Sequence, residues 1–208
     1  MNLFVLGATG KTGRILTAQG LARGHAITAF GRSALEDGAT RAASIIVGNP
    51  MEADSLATAM PGHDAVLSVL GTRGLGATSV LVDSARAIIE AMQRARVRRL
   101  IVISSSLVDT SSGWLSSFLS RTLLRHTAGD QRAMEQLITG SPLDWTVLRP
   151  ARLDDGVRTG RYSASAASAG PPASGTVLSR GDVAQMMLDT AERGAYIKDI
   201  VWVRGALA

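Results

Sequence analysis

Glycines recur at a fixed interval near the start of the chain, in the segment Val5–Arg14, which reads V-L-G-A-T-G-K-T-G-R. They follow an apolar run typical of a buried strand and precede a helical pattern. In such a turn Gly7 permits a sharp exit from the strand, Gly10 leaves room for a diphosphate, and Gly13 lets the helix pack closely against the sheet. Free amide groups at the helix start then face an anion. The segment therefore predicts a binding site for the diphosphate of a dinucleotide.

The residues after the second apolar run indicate which dinucleotide is bound. Proteins that bind NAD commonly place Asp or Glu about 20 residues beyond the glycines, where the carboxylate binds the ribose hydroxyls. Here Arg32 and Ser33 occupy that region, and the first acidic residue after them is Glu36. A guanidinium and a hydroxyl suit a 2′-phosphate, which a carboxylate would repel. The sequence favours NADP, with NAD as the less favoured alternative.

Short apolar runs alternate with helical patterns along the whole chain, and these elements must position the turn. The predicted strands are Leu3–Leu6, Ala26–Phe30, Ser44–Val47, Ala65–Leu70, Leu100–Ile103, Trp145–Leu148 and Ile200–Val203. The predicted helices are Lys11–Ala22, Met51–Ala59, Val80–Ala95, Asp130–Thr139 and Asp182–Ala191. Strands this apolar are buried on both faces. We expect a doubly wound α/β fold with a parallel sheet, in a single domain spanning residues 1–208 with small C-terminal segments beside the substrate pocket.

Local signals support several of these boundaries. Ser179 stands three residues before Asp182, as in a capping box with Asp in place of Glu. Gly24 and Gly62 stand where helices should end. The stretch Ser163–Gly175 is rich in Ser, Ala, Gly and Pro, which predicts a flexible loop.

Composition excludes several classes of function. The chain has 208 residues, of which 46% are hydrophobic and 19% charged, and it contains no cysteine. Disulfides, thiolate metal sites and cysteine nucleophiles are therefore excluded. No His, Asp and Glu cluster has the spacing of a metal site, and no apolar run is long enough to span a membrane. The net charge of +5 comes mostly from arginine, without the interleaved aromatic residues of a nucleic-acid-binding surface. We expect a soluble cytoplasmic protein with a small-molecule substrate, either monomeric or homodimeric.

The glycine turn and the later motifs resemble the atypical short-chain dehydrogenases/reductases. Within that class they are most similar to the NAD(P)-binding subgroup of biliverdin reductase B (a flavin reductase) and the NmrA-like proteins. The segments that carry the resemblance are Gly7–Gly13, Ala29–Arg32, Val47–Asn49, Val69–Gly71, Ile103–Ser106, Asp144–Pro150 and Gly181–Ala184. The resemblance covers nearly the whole chain and implies a Rossmann fold.

The resemblance also implies roles for individual residues. It places Asn49 near the adenine, Gly71 beside the ribose and diphosphate, and Pro150 in the nicotinamide pocket. Of the serines after the fifth strand, Ser105 matches the catalytic serine of the family. The cofactor-binding residues implied in this way are Gly7, Thr9, Gly10, Lys11, Thr12, Gly13, Arg32, Ser33, Asn49, Leu70, Gly71, Ser104 and Pro150.

One part of the family's catalytic machinery is missing. Typical members exchange a proton through a Tyr-x-x-x-Lys pair, in which lysine lowers the pKa of the tyrosine. The only tyrosines are Tyr162 and Tyr196, and four residues further on stand Ala166 and Ile200. Reduction of a ketone needs such an acid, whereas a flavin needs mainly to stack on the nicotinamide and takes its proton from water. His126 lies in the segment expected to border the substrate pocket and is a candidate proton donor, although a lone histidine is more often a surface or helix-end residue.

These observations favour two functions over a third. The first is an NADPH-dependent oxidoreductase that reduces a flavin, a quinone or a similar flat acceptor. The alternative is a non-catalytic NADP(H)-binding redox sensor or regulator of the NmrA-like type. An epimerase or dehydratase is a third, weaker option, because the chain is short for an added substrate domain and lacks the relay tyrosine.

Overall fold

Strands and helices alternate along the chain. The computed structural model describes residues 1–33, 44–71, 79–105, 118–166, 168 and 177–205, with the backbone alone over 118–128. The strands are β1 (Asn2–Leu6), β2 (Ala26–Gly31), β3 (Ser44–Val47), β4 (Ala65–Ser68), β5 (Arg99–Ile103), β6 (Asp144–Pro150), β7 (Arg152–Asp154), β8 (Tyr162–Ala166), β9 (Val177–Ser179) and β10 (Asp199–Gly205). The helices are α1 (Lys11–Ala22), α2 (Ala53–Ala59), α3 (Val80–Ala95), α4 (Phe118–Thr139) and α5 (Arg180–Arg193).

The main sheet has the strand order β3-β2-β1-β4-β5-β6-β10-β8, and β7 pairs with β9 in a separate small sheet. Every neighbouring pair in the main sheet is parallel except β10 and β8. The order reverses between β1 and β4, where the connections leave in opposite directions and open a crevice at the carboxyl ends of the strands. The predicted doubly wound α/β fold is confirmed.

Alternate residues of the central strands face two separate cores. In β1, Leu3 and Val5 pack with α1 and α5 on one face of the sheet. Phe4 and Leu6 pack with α2, α3 and α4 on the other face. All four side chains are fully buried, so neither face of the strand tolerates a polar residue. This double burial explains why the strands read as continuous apolar runs.

Three helices begin at other residues than predicted, among them α5, which begins at Arg180 rather than Asp182. The α4 helix begins at Phe118 rather than Asp130, so the helical pattern continues through a segment that contains Gly129. The α2 helix begins at Ala53, because the Met51 amide donates to the side chain of Asn49 in a turn that precedes the helix.

The predicted flexible loop at Ser163–Gly175 is wrong over its first residues. Residues 163–166 belong to β8, which runs antiparallel to β10 at the edge of the sheet. Serine and alanine have low strand propensity, so this strand depends on its pairing with Val201–Gly205 rather than on its own sequence. The rest of the predicted loop lies almost entirely outside the described residues.

The predicted helix ends are present. The Ser179 side chain accepts a hydrogen bond from the Asp182 amide at 3.0 Å and caps α5. Gly24 and Gly62 follow α1 and α2 with φ of +79° and +81°, values that glycine adopts without strain. In the described part of the chain, no helix combines the length and apolar character that crossing a bilayer requires.

Candidate functional site

The residues implicated by the sequence meet at one edge of the sheet. Gly7 follows β1, Arg32 follows β2, Gly71 follows β4 and Ser104 follows β5. Because these strands are parallel, their carboxyl ends share an edge. The candidate site is therefore the crevice along this edge, beside the point where the strand order reverses.

The glycine turn is the most tightly constrained part of this edge. Gly7 has φ of +82°, and a Cβ there would lie 2.9 Å from the carbonyl oxygen of Val69. A Cβ on Gly13 would overlap the carbonyl oxygen of Gly7 and lie 2.7 Å from Cα of Ala8. Gly10 is the N-cap of α1 and supplies no side chain to its amide groups. The start of α1 therefore offers uncapped N–H groups to an anion.

A cation stands at the end of β2, beside this turn. Arg32 and Ser33 are both exposed, and the methyl group of Thr9 lies 3.9 Å from the position of a Cβ on Gly31. Arg32 forms no ion pair within the described part of the chain. The guanidinium is therefore free to meet a phosphate that lies beside the glycine turn.

Asn49 follows β3, and its side chain forms hydrogen bonds within the turn that leads to α2. Its amide nitrogen donates to a Glu52 carboxylate oxygen at 2.9 Å, and its amide oxygen accepts from the Met51 amide at 3.2 Å. The amide has one further N–H and one further lone pair. An adenine contact at Asn49 stays a prediction, and it would use these remaining groups.

Four further residues line the edge between β4 and β6. Leu70 is half-buried and packs on the α2–α3–α4 core, while Gly71 is exposed with open space where a Cβ would stand. Pro150 is buried at the end of β6. The Ser104 amide donates to the Leu148 carbonyl at 2.8 Å, and Ser104 Oγ is buried with no hydrogen-bond partner among the described residues. Ser104 thus has an unused hydroxyl at this edge.

Ser105 is half-buried beside Ser104. Its assignment as the catalytic serine rests on the family resemblance and stays a prediction. The neighbouring Ser106 lies outside the described residues, as does the side chain of His126.

In the short-chain dehydrogenases/reductases that this chain resembles, the Tyr-x-x-x-Lys relay corresponds to residues around 127–136, within α4, and α4 contains neither tyrosine nor lysine. In α4, Asp130 is buried and accepts hydrogen bonds from the amides of Leu81 and Val82, both at 3.3 Å, at the start of α3. Glu135 forms a buried bidentate pair with Arg149 of β6, with one nitrogen–oxygen distance of 3.0 Å. Sequence reasoning missed both carboxylates. They fix α4 against α3 and the sheet.

Neither tyrosine replaces the missing relay. Tyr162 donates to a carboxylate oxygen of Asp189 at 2.7 Å, and burial, together with that carboxylate, raises the pKa of Tyr162 well above its usual value. Tyr196 lies at the opposite edge, where its carbonyl accepts from the Thr146 hydroxyl at 2.7 Å. The Tyr162 hydroxyl is thus committed to α5, and Tyr196 lies beside the amino end of β10.

The segment that follows β6 is tied to the glycine turn by an ion-pair bridge. Asp155 accepts from Lys11 at 2.7 Å and from Arg180 at 2.5 Å, so its carboxylate joins the starts of α1 and α5. The hydrogen bond from Lys11 holds the pKa of Asp155 below its usual value. Lys11 is a predicted cofactor contact, and its side chain is 72% exposed in this bridge. It can therefore reach an anion only by sharing or leaving Asp155.

Comparison with known families agrees with this geometry. Residues 7–193 match the family described as NAD(P)H-binding, which is most of the chain. The chain belongs to the NAD(P)H-binding family. The match begins at the first glycine of the turn and ends at the last residue of α5. The expectation of a nicotinamide dinucleotide coenzyme is confirmed at this level, and the choice between NADP and NAD stays a prediction.

Individual relatives resemble this NAD(P)H-binding chain along most of its length. It is 27% identical over 176 residues to YhfK of Bacillus subtilis, named an uncharacterized sugar epimerase, covering 79% of this chain and 78% of that protein. The oxidoreductase ylbE of Lactococcus lactis superposes with a TM-score of 0.84 at 19% identity, covering 99% of this chain and 91% of the other. ChuY, an anaerobilin reductase of Escherichia coli, superposes with a TM-score of 0.81 at 20% identity, covering 100% of this chain and 98% of the other. These solved structures share the fold.

A buried carboxylate organises the segment between β7 and β8 of this family member. Asp182 accepts from the Thr159 amide at 2.9 Å and from the Gly160 amide at 2.7 Å. The Ser179 and Thr159 hydroxyls also donate to it, at 2.8 and 2.9 Å. Burial alone would raise the pKa of Asp182, but these hydrogen bonds outweigh burial and hold it below the usual value.

We expect Asp182→Asn to lower the free energy of unfolding at pH 7 by about 2 kcal/mol, because an amide nitrogen would face hydrogen-bond donors. The folded-state pKa lies below the unfolded one, so the carboxylate stabilises the fold above the unfolded pKa of about 3.9. That stabilisation is lost as pH falls through the folded pKa. Urea unfolding between pH 7 and pH 3 should therefore show the two proteins converging in acid.

The control for this experiment is Asp154→Asn. Asp154 is an exposed acid of the same segment with one hydrogen bond, from the Gly156 amide at 3.0 Å. The Asp154→Asn variant should have a free energy of unfolding close to that of wild type, both at pH 7 and as the pH falls. Parallel acid profiles for wild type and Asp182→Asn would show that the buried carboxylate does not supply this stability.

Proposed function

We propose that this chain is an NADPH-dependent oxidoreductase that reduces a flavin, a quinone or a similar flat acceptor. The observation that carries the proposal is the pairing of an intact glycine turn with an α4 helix that has no tyrosine and no lysine. The turn suits a nicotinamide dinucleotide, while the helix lacks the acid that reduction of a ketone needs. We place the chain near the flavin reductases of the atypical short-chain class.

The described residues suit this coenzyme. The uncapped amides of α1 and the absence of a Cβ at Gly7 and Gly10 fit the diphosphate, and Arg32 fits a 2′-phosphate. Ser104 Oγ, buried and unpartnered among the described residues, suits a polar group of the coenzyme or substrate. Ser105 is proposed to orient the nicotinamide or the acceptor. The bound coenzyme supplies a hydride, and water supplies the proton that completes reduction of a flavin.

The names of two structural neighbours support a reductase that uses NADP. ChuY is named as a reductase. A short-chain dehydrogenase/reductase of Veillonella parvula, which superposes with a TM-score of 0.81 at 19% identity over 98% of this chain and 94% of its own, was solved in complex with NADP. The epimerase name of the Bacillus relative is less compatible with the site. Epimerisation through a keto intermediate moves a proton at a sugar oxygen, for which α4 offers neither tyrosine nor lysine.

We expect Arg32→Ala to weaken NADPH binding about 10- to 100-fold, since it removes charge-assisted hydrogen bonds to the 2′-phosphate. The Kd for NADH should stay within about twofold of wild type, because NADH has no phosphate at that position. Fluorescence titration of wild type and variant with both coenzymes measures the two ratios. The control is Arg86→Ala, which removes an exposed arginine on α3. Equal losses for NADPH and NADH would contradict the assignment of Arg32 to the 2′-phosphate.

Turnover decides between the reductase and the sensor. NADPH oxidation is followed at saturating coenzyme with riboflavin, FMN and a soluble quinone in turn. Turnover with one of these acceptors supports the reductase. Tight NADPH binding without turnover on any of them would favour a redox sensor that reports the state of the coenzyme.

A further inference from the structure

The stretch between Asp155 and Asp182, which runs from the loop after β7 into the first turn of α5, has an unusual distribution of charge. No Asp or Glu occurs between Asp155 and Asp182, although this stretch carries Arg158, Arg161 and Arg180. Arg152 stands shortly before it. The only acidic residues of this stretch are the two that bound it. The arginines between them therefore create a local positive potential that no carboxylate within the stretch cancels.

The backbone that carries two of these arginines is held in place. The buried Asp182 binds the amides of Thr159 and Gly160, and the Arg161 amide donates to the Thr159 hydroxyl at 3.0 Å. Arg158 packs against Gly181, where a Cβ would lie 3.3 Å from Cα of Arg158. The loop therefore presents both guanidinium groups from a fixed backbone, which lowers the entropy lost when they bind an anion.

The carboxylates of this region already have hydrogen-bond or ion-pair partners other than Arg152, Arg158 and Arg161. Asp154 accepts from the Gly156 amide, Asp155 bridges two cations, and Asp182 holds the loop backbone. By contrast, Arg152, Arg158 and Arg161 are exposed and form no ion pair within the described part of the chain. We call these three residues the arginine rim.

The arginine rim lies beside the crevice. Arg152 follows Pro150, at the end of β6, by two residues, and Asp155 contacts Lys11 of the glycine turn. Arg161 directly precedes β8, whose first residue pairs with the carboxyl end of β10. The rim thus borders the carboxyl edge beyond β6, on the side away from Arg32 and β2. A coenzyme whose 2′-phosphate meets Arg32 leaves this end of the edge to the acceptor.

We propose that the arginine rim binds a phosphate group on the acceptor, so that the substrate is a phosphate-bearing flat ring such as FMN rather than riboflavin. The inference rests on the proposed reductase function and names its substrate class. Guanidinium forks match phosphate oxygens bidentately, and the hydrogen bonds of Asp182 hold the loop backbone that carries Arg158 and Arg161. The rim thus contributes affinity and orientation, and it takes no part in hydride transfer.

The test compares FMN with riboflavin, which differ by the phosphate. The variant Arg158→Gln/Arg161→Gln keeps most of each side-chain stem and removes two charges. We expect its ratio of kcat/KM for FMN to kcat/KM for riboflavin to fall about tenfold, as expected for lost hydrogen bonds to a charged group. Arg158→Lys/Arg161→Lys should recover part of that ratio, because it restores charge without the fork. Arg86→Gln/Arg96→Gln on and after α3 matches the change in charge and should keep the wild-type ratio.

Salt gives an independent readout. In the wild type, kcat/KM for FMN should fall with ionic strength more steeply than that for riboflavin, and the Gln variant should lose this difference. Equal use of FMN and riboflavin by wild type and variant would overturn the phosphate assignment while leaving the reductase intact. Failure to oxidise NADPH with any flavin or quinone would instead overturn the proposed function on which it rests.

Discussion

Replacing Gly13 with alanine should lower the free energy of unfolding by about 3 kcal/mol, as overpacking of a close contact does. The added Cβ would overlap the carbonyl oxygen of Gly7 and crowd Ala8, and both are backbone groups that cannot rotate away. Gly13 is also buried in the first turn of α1, so the helix would have to move off the sheet. Urea unfolding measures the loss, and NADPH binding should fall with it.

Gly10→Ala is the matched variant, because it adds the same methyl group three residues earlier. Its Cβ would lie 3.3 Å from the Gly7 carbonyl oxygen, and the φ of −76° at Gly10 suits any residue. Stability should therefore fall much less than in Gly13→Ala, while the methyl group would stand where the diphosphate approaches the turn. We expect the NADPH Kd to rise at least about tenfold, as loss of a charge-assisted hydrogen bond would produce. Unchanged NADPH affinity in Gly10→Ala would show that the diphosphate binds elsewhere.

The contrast between these glycines explains why the turn was predictable. Its requirements are local: a positive φ at Gly7, a close helix approach at Gly13 and an uncapped helix start at Gly10 all follow from residues within one short segment. The same holds for the Ser179 cap of α5. Apolar runs likewise predicted the parallel strands, because double burial leaves a clear pattern in sequence.

Contacts between distant residues were not predictable in this way. Lys11 and Asp155 meet across 144 residues of chain, and nothing in either segment signals the other. Asp182 was predicted within a capping box, yet its carboxylate also holds a loop more than 20 residues earlier in the sequence. The β8 strand was missed because its alternating Ser and Ala carry little strand propensity without β10.

The α4 helix was the hardest element to interpret. Its sequence showed that Tyr and Lys are absent, which is a statement about composition. It did not show that Asp130 holds the start of α3 and that Glu135 holds Arg149, because those roles depend on how α4 packs. The one available signal was the place of Glu135 in the helical pattern, directly after Met134 and three residues before Ile138, both of which are buried.

We expect Glu135→Ala to destabilise the fold by about 3–5 kcal/mol, the effect of leaving one member of a buried ion pair without the other. The Glu135 side chain is 5% exposed and that of Arg149 is 11% exposed, so water reaches neither charge freely. The Arg149 guanidinium also lies 5.0 Å from the ring centre of Trp202, which fixes it in the core.

The double variant Glu135→Leu/Arg149→Met distinguishes the cost of leaving one buried charge alone from the net contribution of the ion pair to stability. Removing both charges avoids the cost of an unpaired buried ion, so the double variant should regain most of the stability that Glu135→Ala loses. Urea unfolding of each single variant and of the double variant completes the cycle. Arg98→Ala, which breaks the exposed pair with Asp144, is the control and should have little effect.

The same cycle tests what the pair does for the site. Arg149 precedes Pro150 at the carboxyl edge, and Glu135 holds it to the helix where the family carries its relay. If the pair serves to fix α4 and β6, a double variant with restored stability should bind NADPH with a Kd near that of wild type. A double variant that is stable but binds NADPH poorly would contradict this, because packing alone would then be insufficient and the charges themselves would be needed at the edge of the sheet.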